Sequence, residues 1–123
     1  MNELPVKLLG KRVLIADDEQ NMRLLLRAFL EHFGVVVTEA VNGEEALQLY
    51  TPGSFELVLT DYAMPKMRGD ALARAIKGVN PAQRVVMVSG FDDLILEQGK
   101  LPVFIDGLIA KPCTRDQLTD AFL

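Results

Sequence analysis

Four places in this sequence set a reactive side chain at the end of a short strand-like run. Asp17-Asp18 follow Val13–Ala16, Asp61 follows Leu57–Thr60, Ser89 follows Val85–Val88, and Lys111-Pro112 follow Asp106–Ala110. Carboxylates gathered at the ends of buried strands repel one another and lose hydration, so three together require a cation. Hard oxygen ligands in that number suit Mg2+, which prefers octahedral geometry and keeps several waters. A carboxylate beside Mg2+ can attack a phosphoryl group and become an acyl phosphate. The Lys111 ammonium then offsets charge on the phosphoryl oxygens as a compact point charge, and the Ser89 hydroxyl can hydrogen-bond one of them. Asp61 stands alone on the third run, between the acid pair and the lysine, and is the candidate nucleophile.

Singly, each residue has a plainer reading. Asp18 suits a helix N-cap, Asp61 and Ser89-Gly90 suit turns, and Lys111-Pro112 suits the stop of a strand. The joint pattern favours the chemical reading, because every reactive group falls at the end of a strand-like run.

The elements that position these groups alternate along the chain. Asn21–Phe33 reads as a helix with Met22, Leu25, Leu26, Phe29 and Leu30 at helical spacing and Gly34 as its stop. Val35–Ala40 is β-branched and strand-like, and Asn42-Gly43 opens a short helix carrying Ala46, Leu47 and Tyr50, which Pro52-Gly53 ends. Gly69–Lys77 is predicted as the third helix, Asp92–Gln98 as a weak fourth and Thr114–Leu123 as the last. Strands apolar on both faces and separated by helices imply a parallel sheet covered on both sides. The expectation is an α/β doubly wound fold of five βα units. Ligands in such folds bind outside the carboxyl ends of the strands, where the strand order reverses.

Composition bounds the rest. The chain has 123 residues, half of them hydrophobic, which suits one domain with a real core. Its net charge of −4 and the absence of a lysine-arginine cluster argue against direct nucleic-acid binding. A single cysteine, Cys113, forbids an internal disulfide and suits a reducing compartment. No apolar run approaches the ~20 residues of a membrane span, and the N-terminus lacks a secretory pattern, so a cytoplasmic domain without membrane contact is expected.

Asp17-Asp18, Asp61 followed by Met64-Pro65 and Gly69, Ser89-Gly90 and Lys111-Pro112 come in an order and spacing that resembles the response-regulator receiver domains of two-component signalling. The resemblance covers residues 11–123, with 1–10 as an N-terminal extension, and implies a flavodoxin-like doubly wound (βα)5 fold with strand order 2-1-3-4-5. It implies that Asp61 accepts a phosphoryl group from the phosphohistidine of a histidine kinase or histidine phosphotransfer protein. It further implies Mg2+ bound by Asp18, Asp61 and the backbone carbonyl of Ala63, with Asp17 acting largely through water. Lys111 would contact the phosphoryl group, and its bond to Pro112 would be cis. The implied switch pair is Ser89 and position 108, where the family often carries Tyr or Phe and this chain has Leu108. Partners implied are an output domain or downstream protein, with a homodimer face on the helices that follow the fourth and fifth strands. The last helix is shorter than the family's usual one, which suggests part of a longer response regulator or a hybrid sensor kinase.

Other features read plainly. Cys113 sits where the family often has a bulky aromatic and reads as a small, partly buried hydrophobe. His32, near the end of the first helix, reads as a surface residue that compensates the helix dipole. Two rival functions remain at the level of sequence. One is a Mg2+-dependent aspartyl-phosphate phosphohydrolase, which would need an acid two residues after the nucleophile, where this chain has Ala63. The other is a pseudo-receiver that binds partners without phosphorylation, against which the intact acids and Lys111 stand.

Overall fold

The computed structural model describes residues 8–90, 104–111 and 113–122. The elements are β1 (Arg12–Ala16), α1 (Gln20–His32), β2 (Val36–Ala40), α2 (Gly43–Leu49), β3 (Leu57–Thr60), α3 (Gly69–Val79), β4 (Val85–Ser89), β5 (Gly107–Ala110) and α4 (Arg115–Asp120). The expected helix over 92–98, the Lys111–Pro112 peptide geometry and the first seven residues lie outside the described residues.

All four strand pairings are parallel, and the sheet runs β2-β1-β3-β4-β5, as expected for the flavodoxin-like doubly wound fold. β1, β3 and β4 are apolar over most of their length because each feeds two cores. Val13, Ile15, Leu57, Leu59, Val86, Val88 and Ile109 face one core with Leu26, Leu30 and Leu118 from the helices. Leu14, Ala16, Val58, Val85 and Met87 face the other with Ala46, Leu72, Ala73 and Ile76. This period of two within each strand sends alternate residues to opposite layers. Leu8, which the sequence reading places in the N-terminal extension, is fully buried in the first of these cores.

Element ends differ from expectation by small, explicable amounts. Ser89 is the last residue of β4, not the first after it, because it pairs with Ala110 and its carbonyl accepts the Lys111 N–H at 2.9 Å. The last helix begins after Thr114, whose hydroxyl accepts from Gln117 N–H while the Gln117 side chain accepts from Thr114 N–H. That reciprocal cap fixes the helix start. Gly34, at φ +83°, ends α1 in the left-handed region, which costs glycine little. Leu25 turns outward and is 45% exposed, since Leu24, Leu25 and Leu26 are consecutive and only Leu26 can face the sheet.

The packing at the start of α3 bears directly on the strand ends. Gly69 N–H donates to the Tyr62 carbonyl at 2.9 Å. A Cβ at Gly69 would lie 2.1 Å from the Asp61 carbonyl oxygen, so only glycine lets the helix approach β3 so closely. Gly69→Ala is therefore expected to destabilise the fold by about 2 kcal/mol through overpacking against backbone. A lowered urea midpoint with unchanged m-value is the readout.

Candidate functional site

The carboxyl ends of β1 and β3 bring their acids together because the parallel ladder continues one residue beyond each strand. Asp61 N–H donates to the Ala16 carbonyl at 2.8 Å, and Asp17 N–H donates to Ala40 at 3.2 Å. Asp17 and Asp61 are thereby buried at 1% and 7% exposure, whereas Asp18, turned one residue on, is exposed. Carboxylate oxygens of Asp17, Asp18 and Asp61 all lie within 4.8 Å of one another, the one such acidic cluster among the described residues.

Lys111, just beyond β5, reaches back over this group. Its Nζ lies 3.3 Å from Asp61 Oδ1 and 3.6 Å from Asp17 Oδ2. Tyr62 N–H donates to the same Asp61 Oδ1 at 2.9 Å, and Glu19 N–H donates to Asp17 Oδ1 at 2.9 Å. The Thr60 hydroxyl donates to the Asp61 carbonyl at 2.9 Å, which holds the backbone under the carboxylate. Ser89, 1% exposed, donates to the Gly90 carbonyl at 3.2 Å.

One ammonium does not balance three carboxylates. Burial first, then the charge of Asp17, pushes the Asp61 carboxyl from 3.8 up to about 6, against the opposing pull of Lys111 and the Tyr62 amide. Burial also raises Asp17, joined by the charges of Asp18 and Glu19. Burial works to lower Lys111, yet Asp61 and Asp17 outweigh it and hold the ammonium above its ordinary value. The donor set is therefore all oxygen, anionic and under-compensated, which fits a hard divalent cation.

Asp17, Asp18, Asp61, Ser89 and Lys111 thus share one rim of the sheet. Ala63 lies exposed in the loop that follows Asp61. That loop contains a tight turn in which Met67 N–H donates to Pro65 at 2.7 Å, with Lys66 held at φ 71°, an unusual conformation for a residue with a side chain. Leu108 sits on edge strand β5 opposite Met87 and is 46% exposed. Asp18 is not the cap of α1: that position is Glu19, without a side-chain cap bond, because the Glu19 N–H turns back to Asp17. Cys113 packs half-buried against the core, and His32 lies exposed with its ring edge on Phe33. Sequence reasoning missed Arg23, which donates to the Asp17 carbonyl at 2.7 Å, and Thr60 beneath Asp61.

Known proteins resemble this chain in sequence and fold. Residues 13–123 match the family described as the response regulator receiver domain. The chain is 32% identical over 106 residues to "Probable transcriptional regulator ycf27" of Cyanidium caldarium, spanning 86% of this chain and 42% of that protein. It is 31% identical over 113 residues to the chemotaxis protein CheY of Halobacterium salinarum, spanning 92% of this chain and 94% of CheY. Among solved structures, the response regulator TrrA of Thermotoga maritima, in complex with Mg2+-BeF, superposes with a TM-score of 0.79 at 30% identity, covering 89% of this chain and 94% of TrrA.

The charge imbalance has a measurable consequence in metal-free solution. A folded-state value near 6 against 3.8 means that stability falls as pH rises from about 4 to about 6, with the full penalty present above that range. The penalty is at most about 3 kcal/mol. Asp61→Asn keeps an oxygen for the Tyr62 N–H but removes the charge. It is expected to raise the metal-free melting temperature at pH 7 by several degrees and leave it nearly unchanged at pH 4. A scan of both proteins in chelator across that range is the check.

Proposed function

Because the chain belongs to the response regulator receiver domain family of two-component systems, we propose that it is a phosphoacceptor switch whose acceptor is Asp61. The phosphoryl group comes from the phosphohistidine of a histidine kinase or histidine phosphotransfer protein. An Asp61 carboxylate oxygen attacks phosphorus, the N–P bond breaks, and the released imidazole nitrogen takes up a proton from solvent. The product is an aspartyl phosphate.

The observation that carries this reading is the position of Lys111 Nζ, 3.3 Å from Asp61 and 3.6 Å from Asp17, over a carboxylate group left short of positive charge. Asp18, Asp61 and the carbonyl of Ala63 would hold Mg2+ directly, with Asp17 acting through water. When bound, Mg2+ would offset the charge of the phosphoryl oxygens and allow the dianion to approach the acids. Tyr62 N–H and Lys111 both engage Asp61 Oδ1, which orients the carboxylate plane for attack. Lys111 follows its partner's charge and would pass from the carboxylate to a phosphoryl oxygen. The Ser89 hydroxyl, at the end of β4, would donate to another. Similarity to a response regulator that holds Mg2+ and BeF together is consistent with the same use of these acids.

Phosphorylation replaces the single charge of the Asp61 carboxylate with a near-dianionic phosphoryl group, a net gain of about one negative charge set beside Lys111 and Ser89. Ser89 is joined to Lys111 through the backbone bond between β4 and β5, so movement of either alters the outer edge of the sheet. That edge, with Leu108 exposed on it, and helix α4 after β5 form the surface we assign to an output domain, a downstream protein or a second copy. The domain is a signalling module of the cytoplasm, acting on its own acceptor. Ala63 offers no carboxyl to activate water, unlike the phosphohydrolases that also form aspartyl phosphates.

Incubation with Mg2+ and a small acyl phosphate, followed by intact mass measurement, tests the proposal. The expected result is one added phosphoryl group, labile to mild base. The adduct should disappear in chelator and in Asp61→Asn, and form more slowly in Lys111→Ala. Labelling that survives in Asp61→Asn would overturn the assignment. Absence of labelling in the presence of Mg2+ would favour a phosphorylation-independent binding module.

A further inference from the structure

Beside the acid pair lies a largely buried cation with no role in the chemistry above. Arg23, in the first turn of α1, has a side chain only 12% exposed. Its Nη1 donates to the Asp17 carbonyl at 2.7 Å, and its Nε donates to Glu39 Oε1, near the end of β2, at 3.1 Å. Arg27, one turn further along α1, donates to the other Glu39 oxygen at 2.6 Å.

The carbonyl of Asp17 belongs to the peptide that joins Asp17 to Asp18. That peptide is planar, so fixing its oxygen fixes the direction in which the chain delivers Asp18. Asp17 is already held by its own N–H on Ala40 and its carboxylate on Glu19 N–H. Asp18 is exposed, so core packing does not set its place. We propose that Arg23, braced by Glu39, is a positioning residue that presets Asp18 against Asp17 and Asp61 for a divalent cation. The inference rests on the Mg2+ reading of the site and adds to it a strut from β2.

Two effects of Arg23 oppose each other. As a bare charge near three carboxylates it would repel a second cation, and its removal would tighten Mg2+ binding. As a strut it lowers the freedom of the Asp18 loop, and its removal would weaken binding. Glu39 sits where it can do two things: hold the planar guanidinium in register with the Asp17 carbonyl, and cancel the charge that would otherwise compete with metal. A lysine has one compact head and cannot span both acceptors in fixed geometry, so it replaces arginine only in part.

Calorimetric titration of the whole chain with Mg2+ decides the matter, because the two effects differ in sign. Arg23→Ala is expected to weaken binding by about tenfold, the scale of lost outer contacts at metal sites. Arg23→Lys should recover part of that loss. Glu39→Gln, which keeps the side-chain shape and serves if Arg23→Ala does not fold, should weaken binding several-fold and make it more salt-dependent. Melting temperature in chelator reports separately on the fold. Unchanged or tighter binding in the folded variants would overturn the strut and leave the site reading intact. Failure of the wild-type chain to bind Mg2+, with Asp61→Asn as its control, would overturn both.

Discussion

The rest of this structure is organised around a repulsion. Three carboxylates meet within 4.8 Å, and among the described residues the one ammonium that reaches them, Lys111, compensates a single charge. A protein selected only for stability would not keep Asp17 and Asp61 buried side by side, since desolvation and mutual charge both act against them. The fold tolerates the arrangement because it supplies donors where it can: Tyr62 N–H to Asp61, Glu19 N–H to Asp17, and the Lys111 ammonium to both. What it leaves uncompensated is negative charge, of the kind a cation could offset.

The parallel sheet makes that concentration of charge geometrically simple. Adjacent parallel strands end on the same side, so β1 and β3 deliver their next residues to one rim without a special loop. The ladder continues one step past the strands, with Asp61 N–H on Ala16 and Asp17 N–H on Ala40, and this carries the acids out of the sheet in register. Lys111 arrives in the same way from the edge, its N–H on Ser89. Strength lies in the two apolar layers and chemistry at the rim, so the site can be unfavourable locally while the domain remains folded.

Much of this was legible in the sequence because the signals are local. A run apolar at every position marks a strand with two covered faces, and the residue that follows is a candidate for the rim. The groups at 17, 18, 61, 89 and 111 could therefore be assembled before any coordinates. Less legible were features set by approach between distant segments. Gly69 marks a helix start in sequence, but its need for glycine comes from the Asp61 carbonyl beneath it. Leu25 fits the helical stripe, yet three consecutive leucines cannot all face one sheet, and the middle one turns to solvent. Ser89 looks like a turn residue beside Gly90 until its pairing with Ala110 places it in β4.

The least legible contribution comes from β2, whose end carries no group suited to phosphoryl chemistry. Its Ala40 carbonyl takes the Asp17 N–H, and its Glu39 holds Arg23 against the Asp17 carbonyl. Both contacts act on backbone, and backbone acceptors leave no mark in residue identity. The contact between Arg23 and Glu39 spans 16 residues and two elements, so spacing gives no hint of it. As a bare ion pair near the surface it would be worth little. In the structure its value lies in what it holds still. A site built from repelling carboxylates gains most from restraint at its most exposed member, and Asp18 is that member, joined to the rest by the peptide that Arg23 grips.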